Sequence, residues 1–164
     1  MILLLRHPRT PFVLACLAGG GLFGMAVWLG DALNLAACPL CILQRMANLA
    51  LAIFAGGGLL LARNAFARRC AAFLMLASTL AGGFVAAYQS YIQRAATDIQ
   101  CSGEAAWWEL FVDWAGQQSP LLFMANGLCS DPAWKLFGLS LAEYSLLAFI
   151  ALACISAWAL LRRD

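Results

Sequence analysis

Four apolar runs, at 11–30, 40–62, 70–92 and 142–161, constrain this chain more than any other feature in it. A helix rises about 1.5 Å per residue, so about 20 apolar residues cross a hydrocarbon core roughly 30 Å thick. All but the second run are free of charge apart from their ends, and Glu143 stands at the entry of the fourth. No stretch alternates with the period of two that a membrane strand would need. Of the 164 residues 64% are hydrophobic and 11% charged, with a mean hydropathy of +0.83, far from the roughly half-apolar, quarter-charged average of soluble domains. The expected fold is therefore all-α, an integral membrane four-helix bundle forming one domain over 1–164, with connections 31–39 and 93–141 on the same side of the membrane.

Basic residues near the helix ends set the orientation, because cytoplasmic flanks carry the excess of Lys and Arg. One side holds Arg6, Arg9, Arg63, Arg68, Arg69, Arg162 and Arg163, and the other holds Arg94 and Lys135. Both termini and the 63–69 loop are thus expected in the cytoplasm, and 31–39 and 93–141 outside. The net charge of +2 is spread in short clusters that abut apolar runs, which gives no footprint for nucleic acid. "LAAC" at 35–38 has the look of a lipoprotein cleavage site, but Gly30, Asp31 and Asn34 part it from the apolar run, and that run exceeds the length usual for a signal. An uncleaved first helix is the better reading. Gly20, Gly24, the triplet 56–58, Gly82 and Gly83 read as sites of close helix approach.

Seven cysteines divide by position. Cys16, Cys70 and Cys154 fall within or at the inner ends of helices, where a free cysteine behaves as a small buried hydrophobe. Cys38, Cys41, Cys101 and Cys129 all fall on the outer side. Two structural disulfides, a zinc site or a redox relay could use these four. A staple suits 101 and 129 better than 38 and 41, which would close a loop too short to restrict the unfolded chain much. Zinc sites usually pair one close-spaced C-x-x-C with another, and 101 and 129 are not close-spaced.

"CPLCILQR" at 38–45 favours redox chemistry. Pro39 suits the first helical position, so Cys38 is expected at the cap and Cys41 in the first turn of helix 2. Helix N-termini and nearby cations both promote the thiolate, the species that attacks disulfides. Arg45 follows Cys41 by one turn, on the same face and about 6 Å deeper. Burying a cation there costs a few kcal/mol. A snorkelling arginine is the plain explanation; the functional one is a fixed cation beside a Cys41 thiolate and a partly reduced carbonyl ligand. In "AAWWELFVDW", Trp107, Leu110, Phe111 and Trp114 recur at i, i+3, i+4 and i+7 with Glu109 and Asp113 on another face. That pattern describes a short amphipathic helix lying on the membrane surface or packing its aromatics on the bundle.

The order of C-x-x-C, an arginine four residues on, a long outer loop with a second cysteine pair, and "CSDPAWKLFGLSLAEY" leading into a fourth helix resembles the DsbB family of bacterial disulfide-bond-formation proteins. Nearly the whole chain takes part in the resemblance. It implies a bacterial inner-membrane oxidoreductase with its active face in the periplasm, which reoxidises a periplasmic DsbA-like dithiol protein and reduces a membrane quinone, ubiquinone or menaquinone. In that family the DsbA, DsbB and quinone chain keeps the bacterial periplasm oxidising. By the same resemblance Cys101 and Cys129 form the outer disulfide, with Cys101 attacked by the partner. Cys129 then attacks Cys38, and Cys41 beside Arg45 reduces the quinone. Where family members commonly carry a histidine linked to the quinone, this chain has Gln89, which can donate a hydrogen bond but supplies no proton; it is expected either beside the quinone or as a polar residue capping the surface.

Two other classes fit parts of the pattern. One is a structural membrane protein with static outer disulfides. The other is an enzyme like vitamin K epoxide reductase, whose C-x-x-C belongs in a late helix, whereas here it opens the second.

Overall fold

The computed structural model describes residues 9–61, 64–95, 107–130 and 134–162. Cys101 lies outside these residues, as do Arg6, Arg63 and Arg163. Among the described residues four helices are long and apolar enough to cross a membrane: α1 (Thr10–Ala32), α2 (Pro39–Leu60), α3 (Ala65–Ala95) and α6 (Leu141–Leu161). Between α3 and α6 come α4 (Trp107–Gln118), α5 (Pro120–Phe123) and a hairpin of β1 (Lys135–Leu136) and β2 (Leu139–Ser140). This is an all-α membrane bundle. Its third helix starts five residues before the apolar run, because the Asn64 side chain caps it by accepting the Phe66 and Ala67 N–H groups at 3.0 and 3.3 Å.

Short polar signals end and begin the helices where the site is built. Asn34 takes a left-handed φ of 48°, which asparagine tolerates better than most residues. Leu35 N–H then donates to Gly30 O and Asn34 N–H to Asp31 O, at 3.0 and 3.3 Å, so the last carbonyls of α1 are satisfied. Four residues later Pro39 starts α2 with Cys38 as its cap. At the head of α6, Glu143 accepts the Ser140 N–H at 2.7 Å and pairs with Arg94, joining the end of α3 to the start of α6.

Side-chain packing, not water exclusion, holds helices together in lipid. α3 packs on α2 and α6, and α1 leans mainly on α2. Two phenylalanines are seated on glycines: the Phe12 ring occupies the space a Cβ on Gly58 would need, and the Phe149 ring does the same at Gly82. Around them Ala15, Leu51, Ala55, Ala72, Met75 and Leu152 form the main core. Cys70 and Cys154 differ from expectation, being exposed on the flanks of the bundle rather than buried in it.

The hairpin is a second difference. Its strands are two residues each, too short to show alternation, and its turn places Phe137 and Gly138 at φ of 49° and 81°. Two positive φ values in a two-residue loop match the turn that follows strand twist.

α4 turns the other way from a bundle-packing aromatic stripe. Val112, Ala115 and Gly116 are buried, and Trp108 packs inward against Cys38, Leu40 and Ile92. Trp107, Leu110, Phe111 and Trp114 are all exposed. An outward apolar stripe suits a helix resting on a membrane surface.

Candidate functional site

The cap of α2 brings the two close-spaced cysteines together. Cys38, only 3% exposed, accepts the Cys41 N–H at 3.3 Å through its sulfur, and the two Sγ atoms are 3.0 Å apart as thiols. A sulfur at this cap receives a helix N–H group that has no partner within the helix.

Cys129 reaches the same point from the loop. It packs on Cys38, and the two sulfurs hydrogen-bond. That bond from Cys38 is the main influence holding the Cys129 thiol below its ordinary range, against the opposing effect of burial. Cys38 is pushed strongly upward, first by its bond to Cys129, then by Cys41, then by burial. Protonated Cys38 therefore serves as donor to its neighbours. The loop is docked by main chain: Asn126 and Gly127 N–H both donate to Ala37 O, at 2.9 and 3.0 Å. A Cβ on Gly127 would collide with the Ala36 carbonyl, so glycine permits the approach. Gln93 adds a longer bond of 3.5 Å to Cys129 O.

Gln89 descends from α3 between the sulfurs and is 3% exposed. Its Nε2 donates to Cys41 Sγ at 3.1 Å and to Cys38 Sγ at 3.2 Å. Gln44, one turn after Cys41, donates to Gln89 Oε1 at 2.6 Å. A surface position for Gln89 is thus ruled out: the amide is buried and pointed at the cysteines.

Arg45 bridges elements. Nη2 donates to Ala26 O on α1 at 2.8 Å, and Nη1 to Leu122 O on α5 at 3.4 Å. Gly30 leaves room for it, since a Cβ there would come within 2.8 Å of Nη2. Among the described residues the guanidinium is held by backbone carbonyls of two elements and by no acidic partner. These two bonds among the described residues use two of its five donors.

A cavity of about 210 Å³ opens beside these groups, between α1, α2, α3 and α6. Its polar lining comes from Cys41, Gln44, Arg45, Asn48 and Gln89, with Tyr144 and Ser145 from α6, and Phe149 is among its apolar walls. Sequence reasoning passed over Gln44 and Asn48, although both repeat the helical spacing that connects Cys41 to Arg45.

Comparison with known proteins decides the family. The profile described as "Disulfide bond formation protein DsbB" matches residues 8–159.

The chain belongs to the DsbB family.

A Disulfide bond formation protein B of Nitrosospira multiformis is 34% identical, over 96% of this chain and 95% of its own. One from Dechloromonas aromatica is 34% identical over 92% and 89%. Disulfide bond formation protein B 1 of Pseudomonas aeruginosa is 32% identical over 97% and 98%. Membership of the DsbB family makes this a disulfide-bond-formation membrane protein, and it accounts for the presence of both the capped C-x-x-C and the loop cysteine on one end of the bundle.

Proposed function

We propose that this protein is a periplasm-facing oxidoreductase of the bacterial inner membrane that reoxidises a DsbA-like dithiol protein and passes its electrons through two cysteine pairs to a membrane quinone. One observation carries the reading: Cys129 touches Cys38, whose neighbour Cys41 lines the cavity beside Arg45. Sulfurs in contact can exchange disulfides without a metal.

The exchange balances step by step. A partner thiolate bonds to Cys101 sulfur, the Cys101–Cys129 bond breaks, and Cys129 leaves as a thiolate. Cys129 then bonds to Cys38, the Cys38–Cys41 bond breaks, and Cys41 leaves as a thiolate. The partner's second thiol closes its own disulfide and releases Cys101, which displaces Cys38 from Cys129 and restores the loop disulfide. Cys38 and Cys41 are left as a dithiol carrying two electrons.

A bound quinone supplies an acceptor for two electrons and two protons, which returns Cys38 and Cys41 to the disulfide. The residues fit such a group: a largely apolar cavity, with the Cys41 thiol and the Arg45 guanidinium at one polar end. Arg45 stabilises negative charge on both the thiolate and a carbonyl oxygen beside it. Gln89 holds the sulfurs by donation and moves no proton.

Addition of a reduced DsbA-like dithiol protein to the purified protein in detergent, with quinone absorbance followed, tests this. Quinone reduction lost in Cys101→Ser, Cys129→Ser, Cys38→Ser and Cys41→Ser is the expected result. A quinone that stays oxidised while the outer cysteines remain bridged would reduce the protein to one with static disulfides.

A further inference from the structure

Asn48 is 7% exposed and lines the cavity. Its Oδ1 is buried without a hydrogen-bond partner. Among the described residues of the four spanning helices, the one other such oxygen is Gln93 Oε1, at the outer end of α3, and that side chain is anchored through its Nε2 to Cys129 O. Gln44 and Gln89 bond to each other, while Thr79 and Ser156 each donate to a carbonyl of their own helix. A buried amide oxygen without a partner is costly, and more so in a membrane, where water does not offer a substitute.

Position explains what could repay that cost. Residues 41, 45 and 48 fall within about 60° of one another around the axis of α2, and Asn48 stands about 4.5 Å deeper than Arg45. No polar residue follows it in α2. Along α2 the cavity therefore has polar groups at two levels, Cys41, Gln44 and Arg45 in the first two turns and the Asn48 amide a turn below, while Gln89 on α3 and Tyr144 and Ser145 on α6 also line it.

We propose that Asn48 is a ligand of the quinone headgroup, binding the ring oxygen opposite the one that faces Cys41 and Arg45. This rests on the quinone reading above. A para-quinone has an oxygen at each end of a flat apolar ring, which matches a cavity polar at two levels. An amide suits both redox forms, since its N–H₂ donates to a carbonyl and its oxygen accepts from a hydroxyl. It thereby holds the ring through turnover without exchanging a proton.

Binding of ubiquinone-1 to the oxidised protein, measured by equilibrium dialysis with no thiol donor present, tests the assignment. Asn48→Leu is expected to weaken binding roughly five- to tenfold. The same variant should unfold at an equal or higher temperature without quinone, because it removes an unsatisfied amide, and should gain less than wild type when quinone is added. Exchange between the loop pair and the dithiol partner should be unchanged. Asn48→Ala provides the same comparison if the leucine does not fit. Wild-type affinity in either folded variant would overturn the proposal while leaving the quinone reading intact. A wild-type protein with no saturable quinone binding would overturn both.

Discussion

Gln44 holds the Gln89 side chain in one orientation, donating to its Oε1 at 2.6 Å so that Nε2 faces the sulfurs of Cys38 and Cys41. Two amides on neighbouring helices thus hold the sulfurs by donation, and they do so at any pH, because neither titrates.

Gln89→Leu should slow alkylation of Cys41 in the reduced protein by about tenfold or more, since bonds to a charged acceptor contribute roughly 1.5–3 kcal/mol. Gln44→Leu should have a smaller effect in the same direction, because it frees the donor without removing it. Peptide mass spectrometry after timed labelling reads both. Equal rates in all three proteins would mean that the amides only fill space.

Arg45→Ala should reduce quinone-dependent turnover by roughly 100-fold, the scale seen when a preorganised charge stabiliser is lost. Exchange between Cys129 and Cys38 should change far less, as the guanidinium is bonded to Ala26 and Leu122 and not to the loop cysteine. Stopped-flow measurement of the two half-reactions separates them. Equal losses in both would count against placing the cation at the quinone end.

Cys129 offers a pH test. Its thiol is held below the ordinary range chiefly by the bond from Cys38, so its thiolate persists as pH falls past the point where an ordinary thiol is protonated. Alkylation of Cys129 should therefore stay fast to lower pH than that of a free thiol. Removing the donor in Cys38→Ala should move the inflection upward. An inflection that does not move would show that the sulfur contact is not what sets it.

Gly58→Ala and Gly82→Ala should each lower thermal stability in detergent by about 1–3 kcal/mol, the usual range for overpacking. The added methyl would meet the rings of Phe12 and Phe149. Gly21→Ala, where nothing lies within 4 Å of the new atom, is the control and should have no comparable effect.

The membrane helices were legible because about 20 consecutive apolar residues permit few other structures. Pro39 after Cys38 likewise announced the α2 cap, which depends on a missing N–H and a fixed φ. The details that escaped the sequence are relational. That Arg45 would find two main-chain carbonyls depends on where α1 and α5 pass, and no local pattern records it. The 107–114 aromatic stripe was visible as a stripe, but periodicity is equal on both sides of a helix, and only packing shows Val112 and Ala115 inward. Gln44 and Asn48 were hidden inside a run read as apolar, though their spacing from Cys41 was there to be counted. The hairpin at 135–140 rests on a two-residue turn, and Phe-Gly is not among the pairs that usually signal one.

Ala37 O receives both N–H bonds from Asn126 and Gly127, and this has a consequence for how the loop can change. Attachment through the main chain is indifferent to which side chains the loop carries, apart from the glycine that lets it come close. Insertions and substitutions elsewhere in the loop can accumulate while the aim of Cys129 at Cys38 is preserved. Recognition of a soluble partner can then diversify on the outer surface of the loop independently of the sulfur-to-sulfur reach beneath it.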